Sequence, residues 1–379
     1  MKVAIVEANM TGIQHSYPNG IYTTMISKIM GNENVDLYCT MEHFDAMNIE
    51  STGIDFYPIE VVFDDNKMIK KFFCEYKNTI RIIKDSKYDL IIFLSCFANI
   101  QLCLLDYVRR HKIKTKIIIF THGELEGLIM NGKWKIWSYP FWINLCFKNK
   151  LPSNVIRIVL GESIKNNLKS LFGDNNIFYI DQPRNKFADI NMKKPNNNDN
   201  IFAYIGDFLE KKGASTYLEV AKKMNDFSNS KFFVIGPNHC KTKKYPTNIV
   251  FCGNEKEYLS AEEFDSFIQK ATYACFPYPS NTYKLTASGA VLDAIRFLKP
   301  IIYIGNDYFD GIFQNAGNIG YRCKDEEDFV KTIKYLDNND CTEDYKMQVD
   351  NLKKIQSKFS MENVKCQLGD ILKRVVCDK

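Results

Sequence analysis

Short runs of continuous apolar, largely β-branched residues recur along the chain: "KVAIVEA", "YDLIIFLS", "TKIIIFTHG" and "VIRIVLG", then "NIFAYIGD", "KFFVIGP", "NIVFCG", "YACFPY" and "PIIYIG". They do not alternate apolar with polar residues, so they fit strands buried on both faces of a parallel sheet. Amphipathic stretches lie between them. In "MIKKFFCEYKNTIRIIK", residues Ile69, Phe72, Phe73, Tyr76, Ile80 and Ile83 fall at helical spacing, which predicts a helix with a core-facing stripe and solvated lysines. Strand alternating with helix throughout means a doubly wound α/β fold.

A chain of 379 residues exceeds one ordinary core, and at roughly 150 residues per domain it should hold two or three. One strong interruption favours two. The polar stretch "DINMKKPNNNDN", Asp189 to Asn200 and carrying Pro195, reads as a linker. It separates an N-terminal Rossmann-like domain, 1–188, from a second one, 201–358. A C-terminal helix, 359–379, is expected to pack back on the first domain. Two such domains face a cleft, and open α/β sheets bind ligands beyond the carboxyl ends of their strands. Candidate residues should therefore follow strands.

Apolar residues make up 45% of the chain and charged residues 25%, and the formal net charge is +5. That balance describes a globular protein. The charge is too mild to call for nucleic acid, though it tolerates an anionic partner or membrane surface. The 12 cysteines are scattered singly among apolar neighbours with no CxxC pair, as free thiols of a reducing cytoplasm would be. The apolar stretch of "MKVAIVEANM" is too short for a signal-peptide core, and no run approaches the ~20 apolar residues of a membrane span. A cytoplasmic protein, at most touching the inner face of the membrane, is expected.

Four stretches carry candidate chemistry. In "YKLTASGAVLDAIRFLKP", Tyr283 to Pro300, Ser288 stands at the start of a helix beside Gly289. Small residues in a first turn leave backbone N–H groups open to an anion; plain capping is the alternative. In "YIGDFLEKKGASTYLEVAKKM" a strand ends at Gly206, Gly213 makes a turn, and Lys212 is a flexible point charge suited to phosphate. Its alternative is a solvated loop lysine. "EANMTGIQHSYPNG" and "FTHGELEGL" place His15 and His122 after strands, with Glu124 and Glu126 following. A single histidine in such a place is more often structural, but two of only five histidines at equivalent strand ends point to a site.

In order and spacing, "YIGDFLEKKG", "FFVIGP", "IVFCGN", "YACFPYP" and "SGAVLDAIRFLKPII" resemble the donor-binding domain of GT-B glycosyltransferases. More narrowly, they look like the large retaining family that includes sucrose synthase and bacterial lipid mannosyltransferases. The resemblance implies transfer of a sugar from a nucleoside-diphosphate sugar to a hydroxyl of a glycan or lipid-linked glycan, in bacterial surface polysaccharide synthesis, with retention of configuration and no cofactor. It places the family's diphosphate-gripping lysine at Lys212, its ribose-holding acid at Asp293, and donor contacts at Gly206, Gly236 and Pro237. Two positions depart from the pattern: Asp207 replaces the family's arginine, and Leu285 replaces its sugar-holding glutamate. "YKLTASG" is similar to a variant pattern in which Lys284 supplies the second cation, Thr286 and Ser288 donate hydroxyls, and Gly289 opens the helix. The same resemblance gives His122 a contact to the transferred sugar and assigns His15 and Glu124 to the acceptor.

"NGKWKIWSYPFWINLCFKNK", 131–150, gathers all three tryptophans between lysines and suits either an internal cluster or an interface helix on anionic lipid. No phosphate-loop motif, dinucleotide fingerprint or zinc spacing occurs. A D-x-D after a strand is also missing; the nearest acidic run, "KDEED", falls at a helix start, so metal-independent chemistry is expected. A nucleotide-sugar epimerase of the same fold and a catalytically inactive GT-B partner subunit stay open, the latter because of Asp207 and Leu285.

Overall fold

The computed structural model describes all residues except 51–52, 63–66, 86, 131–137, 174–175, 185–186, 188–198, 226–227, 241–243, 254–258 and 378–379. The chain divides into two compact units. The first comprises Met1–Asn185, Leu285–Ala287 and Ser360–Lys379; the second comprises Lys186–Lys284 and Ser288–Phe359.

Seven strands form the sheet of the first unit: β1 (Val3–Glu7), β2 (Val35–Cys39), β3 (Asp55–Pro58), β4 (Leu90–Ser95), β5 (Lys116–Phe120), β6 (Val155–Leu160) and β7 (Ile177–Ile180). Their spatial order is β3-β2-β1-β4-β5-β6-β7, every pairing is parallel, and Ile5 lies opposite both Leu37 and Ile92. Val3, Ile5, Leu37, Ile92 and Ile118 are wholly buried, as a strand covered by helices on both faces requires. The C-terminal helix α13 (Met361–Cys377) adds Val364 and Leu368 to this core. Each such side chain contributes about 2 kcal/mol, which holds α13 against α1 (Ser16–Met30).

Six strands form the sheet of the second unit: β8 (Ile201–Ile205), β9 (Lys231–Ile235), β10 (Ile249–Cys252), β11 (Tyr273–Phe276), β12 (Ile301–Ile304) and β13 (Gly320–Cys323). They run in the order β10-β9-β8-β11-β12-β13, again all parallel. The strand order reverses between β1 and β4 in one unit and between β8 and β11 in the other. Loops leaving a sheet at such a reversal splay apart and leave a crevice.

Each of the apolar runs quoted above forms a strand, and the architecture is the doubly wound α/β expected. Four further strands, β2, β3, β7 and β13, lie outside those runs. In β2 the reason is Asp36, which interrupts the apolar pattern yet is wholly buried. It bonds Lys2 Nζ at 2.5 Å and Lys87 Nζ at 2.9 Å, and accepts from the Tyr88 hydroxyl at 2.6 Å. A buried carboxylate is tolerable only with such partners.

The amphipathic stretch forms α3 (Met68–Lys84), but its core stripe needs correction. Ile80 and Ile83 are buried, whereas Ile69 and Phe73 are 75% and 62% exposed, and Glu75 is buried at 2%. The first half of the helix turns a carboxylate inward in place of its apolar side chains. "KDEED" does sit at a helix start: Asp325 caps α11 (Glu326–Asn338) by accepting from the Asp328 N–H.

Candidate functional site

In the second unit the loop after β8 is shaped by close backbone approach. Gly213 has φ 77°, and a Cβ there would lie 1.8 Å from the Pro277 carbonyl oxygen, so the loop after β8 is pressed against the loop after β11. Gly236, at φ 146°, is equally confined, since a Cβ would meet the Gly206 carbonyl oxygen at 2.5 Å. Only glycine fits these places. The Phe208 N–H donates to the Pro237 carbonyl at 2.9 Å and the Gly206 N–H to the Ile235 carbonyl. The backbone around Gly206, Gly236 and Pro237 thus extends the ladder of β8 and β9.

Lys212 sits on a single 3-10 turn, Glu210–Lys212, between β8 and α7 (Ala214–Met224). Its ammonium is half-buried and lies 3.7 Å from Asp207 Oδ2, while His239 Nε2 lies 3.9 Å from the other Asp207 oxygen. Burial draws the Lys212 ammonium below its usual range, and the neighbouring Asp207 carboxylate offsets part of that shift. The position where the family has arginine is therefore an acid clasping the lysine. Sequence reading missed the support beneath it: the Tyr204 hydroxyl lies 3.2 Å from the carbonyl oxygens of both Asp207 and Lys212 and donates to one at a time. A tyrosine directly before the "IGD" turn was the available signal.

Helix α9 (Gly289–Arg296) has Ser288 at its N-cap, but the Ser288 side chain caps none of its N–H groups. Ser288 is buried at 3%. The Gly206 backbone faces this first turn closely, because a Cβ on Gly206 would lie 3.9 Å from Ala290 Cβ. Asp293 lies farther along the same helix, half-exposed, and Lys284 is exposed. Tyr283 before it adopts φ 55°, a left-handed conformation disfavoured for a bulky residue. Its ring stacks on Tyr278 at 4.8 Å between centroids, a contact that holds the turn and that sequence reading did not foresee.

The turn residues Leu285–Ala287 group with the first unit. Leu285 is wholly buried, so the departure from the glutamate pattern leaves an apolar side chain in packing. The Thr286 hydroxyl is buried without a hydrogen-bond partner among the described residues.

In the first unit, His15 and His122 do come together: His15 Nδ1 and His122 Nε2 are 3.4 Å apart. Burial lowers the pKa of both rings, that of His122 to about 4, so at neutral pH one neutral imidazole donates to the other. Behind them lies Glu7, at the end of β1 and wholly buried. Its carboxylate accepts from the Asn9 and Met10 N–H groups, the Ser95 hydroxyl and the Asn19 amide. Asn19 also meets His43 Nε2, whose Nδ1 donates to the Gly12 carbonyl. This network shapes the loop after β1 at the sheet's reversal point. A carboxylate closing an apolar strand was the clue to it in the sequence.

Glu124 and Glu126 follow β5. The Glu124 carboxylate accepts from the Ala98 N–H at 3.1 Å and from Gln101 Nε2 at 3.2 Å, and burial pushes its pKa up to about 7. It caps the first turn of α4 (Ala98–Arg110). Glu126 accepts from the Leu285 N–H at 2.8 Å. Within the tryptophan-rich stretch, Trp134 and Trp137 lie outside the described residues; Trp142 lies on α5 (Tyr139–Lys148). Among the described residues, no helix is long and apolar enough to cross a membrane.

Two doubly wound units in one chain, each with its reversal point at the carboxyl edge, constitute the GT-B fold. No family model matches the sequence, and no curated protein matches it. Solved structures do. A glycosyltransferase from Rickettsia africae is 13% identical, with a TM-score of 0.67 over 100% of both chains. The Anabaena protein HepE, solved with UDP, is 10% identical with a TM-score of 0.66 over 99% of this chain and 100% of its own. WaaG, a glycosyltransferase involved in lipopolysaccharide biosynthesis, is 11% identical with a TM-score of 0.64 over 97% of this chain and 99% of its own.

Proposed function

We propose that this chain is a glycosyltransferase that moves a sugar from a nucleoside-diphosphate sugar to a hydroxyl of a glycan or lipid-linked glycan. The observation that carries the reading is the setting of Lys212 in the second unit. A half-buried ammonium stands on the loop after β8, and Gly206, the first residue of that loop, faces the first turn of α9. Breaking the bond between sugar and diphosphate leaves negative charge on the departing phosphate. Lys212, with Lys284 and the N–H groups at Ser288 and Gly289, would receive that charge without a metal, and such preorganised donors are commonly worth ~3 kcal/mol each. Asp293 is the group assigned to the ribose hydroxyls. Gly206, Gly236 and Pro237 are assigned to the donor, and Thr286 serves as a hydroxyl donor. His15, His122 and Glu124 are assigned to the sugar and acceptor. Retention of configuration and a role in bacterial surface polysaccharide synthesis belong to the same reading. So does contact of 131–150 with the cytoplasmic membrane face.

Calorimetric titration with UDP and GDP tests it. One of them should bind, and Lys212→Ala should weaken that binding at least tenfold. Heat from neither, or full transferase turnover by Lys212→Ala, would sink the proposal. The Lys212–Asp207 pair also favours a second reading, a subunit that binds donor but does not turn it over. Donor binding without transfer or hydrolysis across a panel of acceptors would select it.

A further inference from the structure

The first unit contains a cavity of about 300 Å³ that the donor site does not use. It opens where α4 begins, just beyond the carboxyl end of β4, with α3 and α5 as walls. Phe72, Phe97, Tyr139 and Trp142 line it. Lys71 Nζ lies 5.0 Å from the centroid of the Phe97 ring. Its volume lies at the small end of the range for small-molecule sites, and its composition is typical of them: aromatic walls with a few polar groups.

Glu75 is the anomaly. It lines the cavity, it is only 2% exposed, and among the described residues its Oε1 has no hydrogen-bond partner. A buried polar atom left unpaired keeps its full desolvation penalty, and replacing the group with an apolar residue would relieve it. Glu124, also in the wall, is by contrast engaged by the Ala98 N–H and by Gln101. Burial pushes both carboxyls up to about 7.

We infer that this cavity binds a neutral pyranose ring, stacked on its aromatic walls and hydrogen-bonded through its hydroxyls to Glu75. The chemistry narrows the choice. Among the described residues the wall carries two carboxyl groups, Glu75 and Glu124, against one ammonium, Lys71, whose charge bears on Glu75, so phosphate or any other anion is disfavoured. An alkyl chain would cover Glu75 while leaving it unsatisfied. A pyranose offers an apolar C–H face to the rings and hydroxyls that can donate to, or accept from, a carboxyl in either protonation state. The inference deepens the glycosyltransferase reading, on which it rests for its meaning: the bound ring is a sugar of the acceptor glycan.

The test uses the full chain and the methyl glycosides of glucose, galactose and mannose as probes. At least one should bind saturably by ligand-observed NMR. Glu75→Leu and Trp142→Ala should each weaken it tenfold or more, with UDP affinity unchanged. Glu75→Leu should also melt no lower than the parent, which separates a ligand contact from a structural support. Should Trp142→Ala lose its cooperative melting, Phe72→Ala replaces it. Three outcomes would overturn the inference: no glycoside saturates the protein, binding ignores these substitutions, or only cationic methyl glucosaminide or only an alkyl alcohol binds. Pyranoside binding without nucleotide binding would keep the pocket and refute the transferase reading; the converse would refute the pocket alone.

Discussion

The Nζ of Lys212 lies 3.7 Å from Oδ2 of Asp207. A carboxylate there repels a diphosphate, and its closeness to Lys212 gives it a second effect. A lysine drawn out of water loses proton affinity, and a carboxylate beside it restores some. Asp207 therefore keeps a half-buried ammonium charged while competing with any anion that approaches it.

Asp207→Asn separates those two effects. At pH 7 the variant should bind UDP severalfold more tightly, because a like charge is gone from the site. Its alkaline loss of affinity should begin at a lower pH, because Lys212 then deprotonates more readily. Titrations across pH 7 to 10 would show both; an unmoved alkaline limb would mean that the pair does not govern Lys212.

Gly213→Ala should be among the most damaging small changes in the second unit. Its φ of 77° and the 1.8 Å approach of the Pro277 carbonyl leave no room for a methyl group. A cost of about 2–3 kcal/mol is expected from the strained backbone and the displaced loop. Thermal unfolding should show it as a lower melting temperature, and a variant as stable as the parent would contradict the packing of these two loops.

Glu7→Gln replaces an acceptor of four hydrogen bonds with a group that must turn an amide toward one of its donors. The expected loss is about 1–3 kcal/mol, concentrated in the first unit. Faster hydrogen exchange at Asn9 and Met10 is the specific sign, and unchanged exchange there would exclude the role given to Glu7.

His122 makes a pH prediction whose sign follows from burial. Its pKa falls from 6.5 to about 4 in the fold, so between those values the unfolded chain binds a proton that the folded chain refuses. Stability therefore falls as the pH drops from 6.5 toward 4. His122→Asn should flatten the melting temperature over that window; an unaltered slope would assign the acid sensitivity elsewhere.

The strands were legible because continuous apolar runs can be buried on both faces in only a few ways. That Gly206 and Lys212 follow a strand and that Ser288 opens a helix was legible for a related reason: glycine turns and small residues at a helix start act locally. β2 was not, because Asp36 makes its pattern look exposed until Lys2, Lys87 and Tyr88 converge on it. The stripe on α3 misled in the opposite direction, since helical spacing cannot say that Glu75 turns inward while Ile69 and Phe73 stay in solvent.

Sequence alone thus determined the α/β class and the placement of candidate residues at strand ends, because hydrophobic period and turn chemistry act over a few neighbouring residues. Tertiary structure decided the pairing of Asp207 with Lys212, the meeting of His15 with His122 across 107 positions, and the burial of Glu75. Those depend on which distant groups share a desolvated space, where the strength of a charge or hydrogen bond is set by surroundings that no local pattern records.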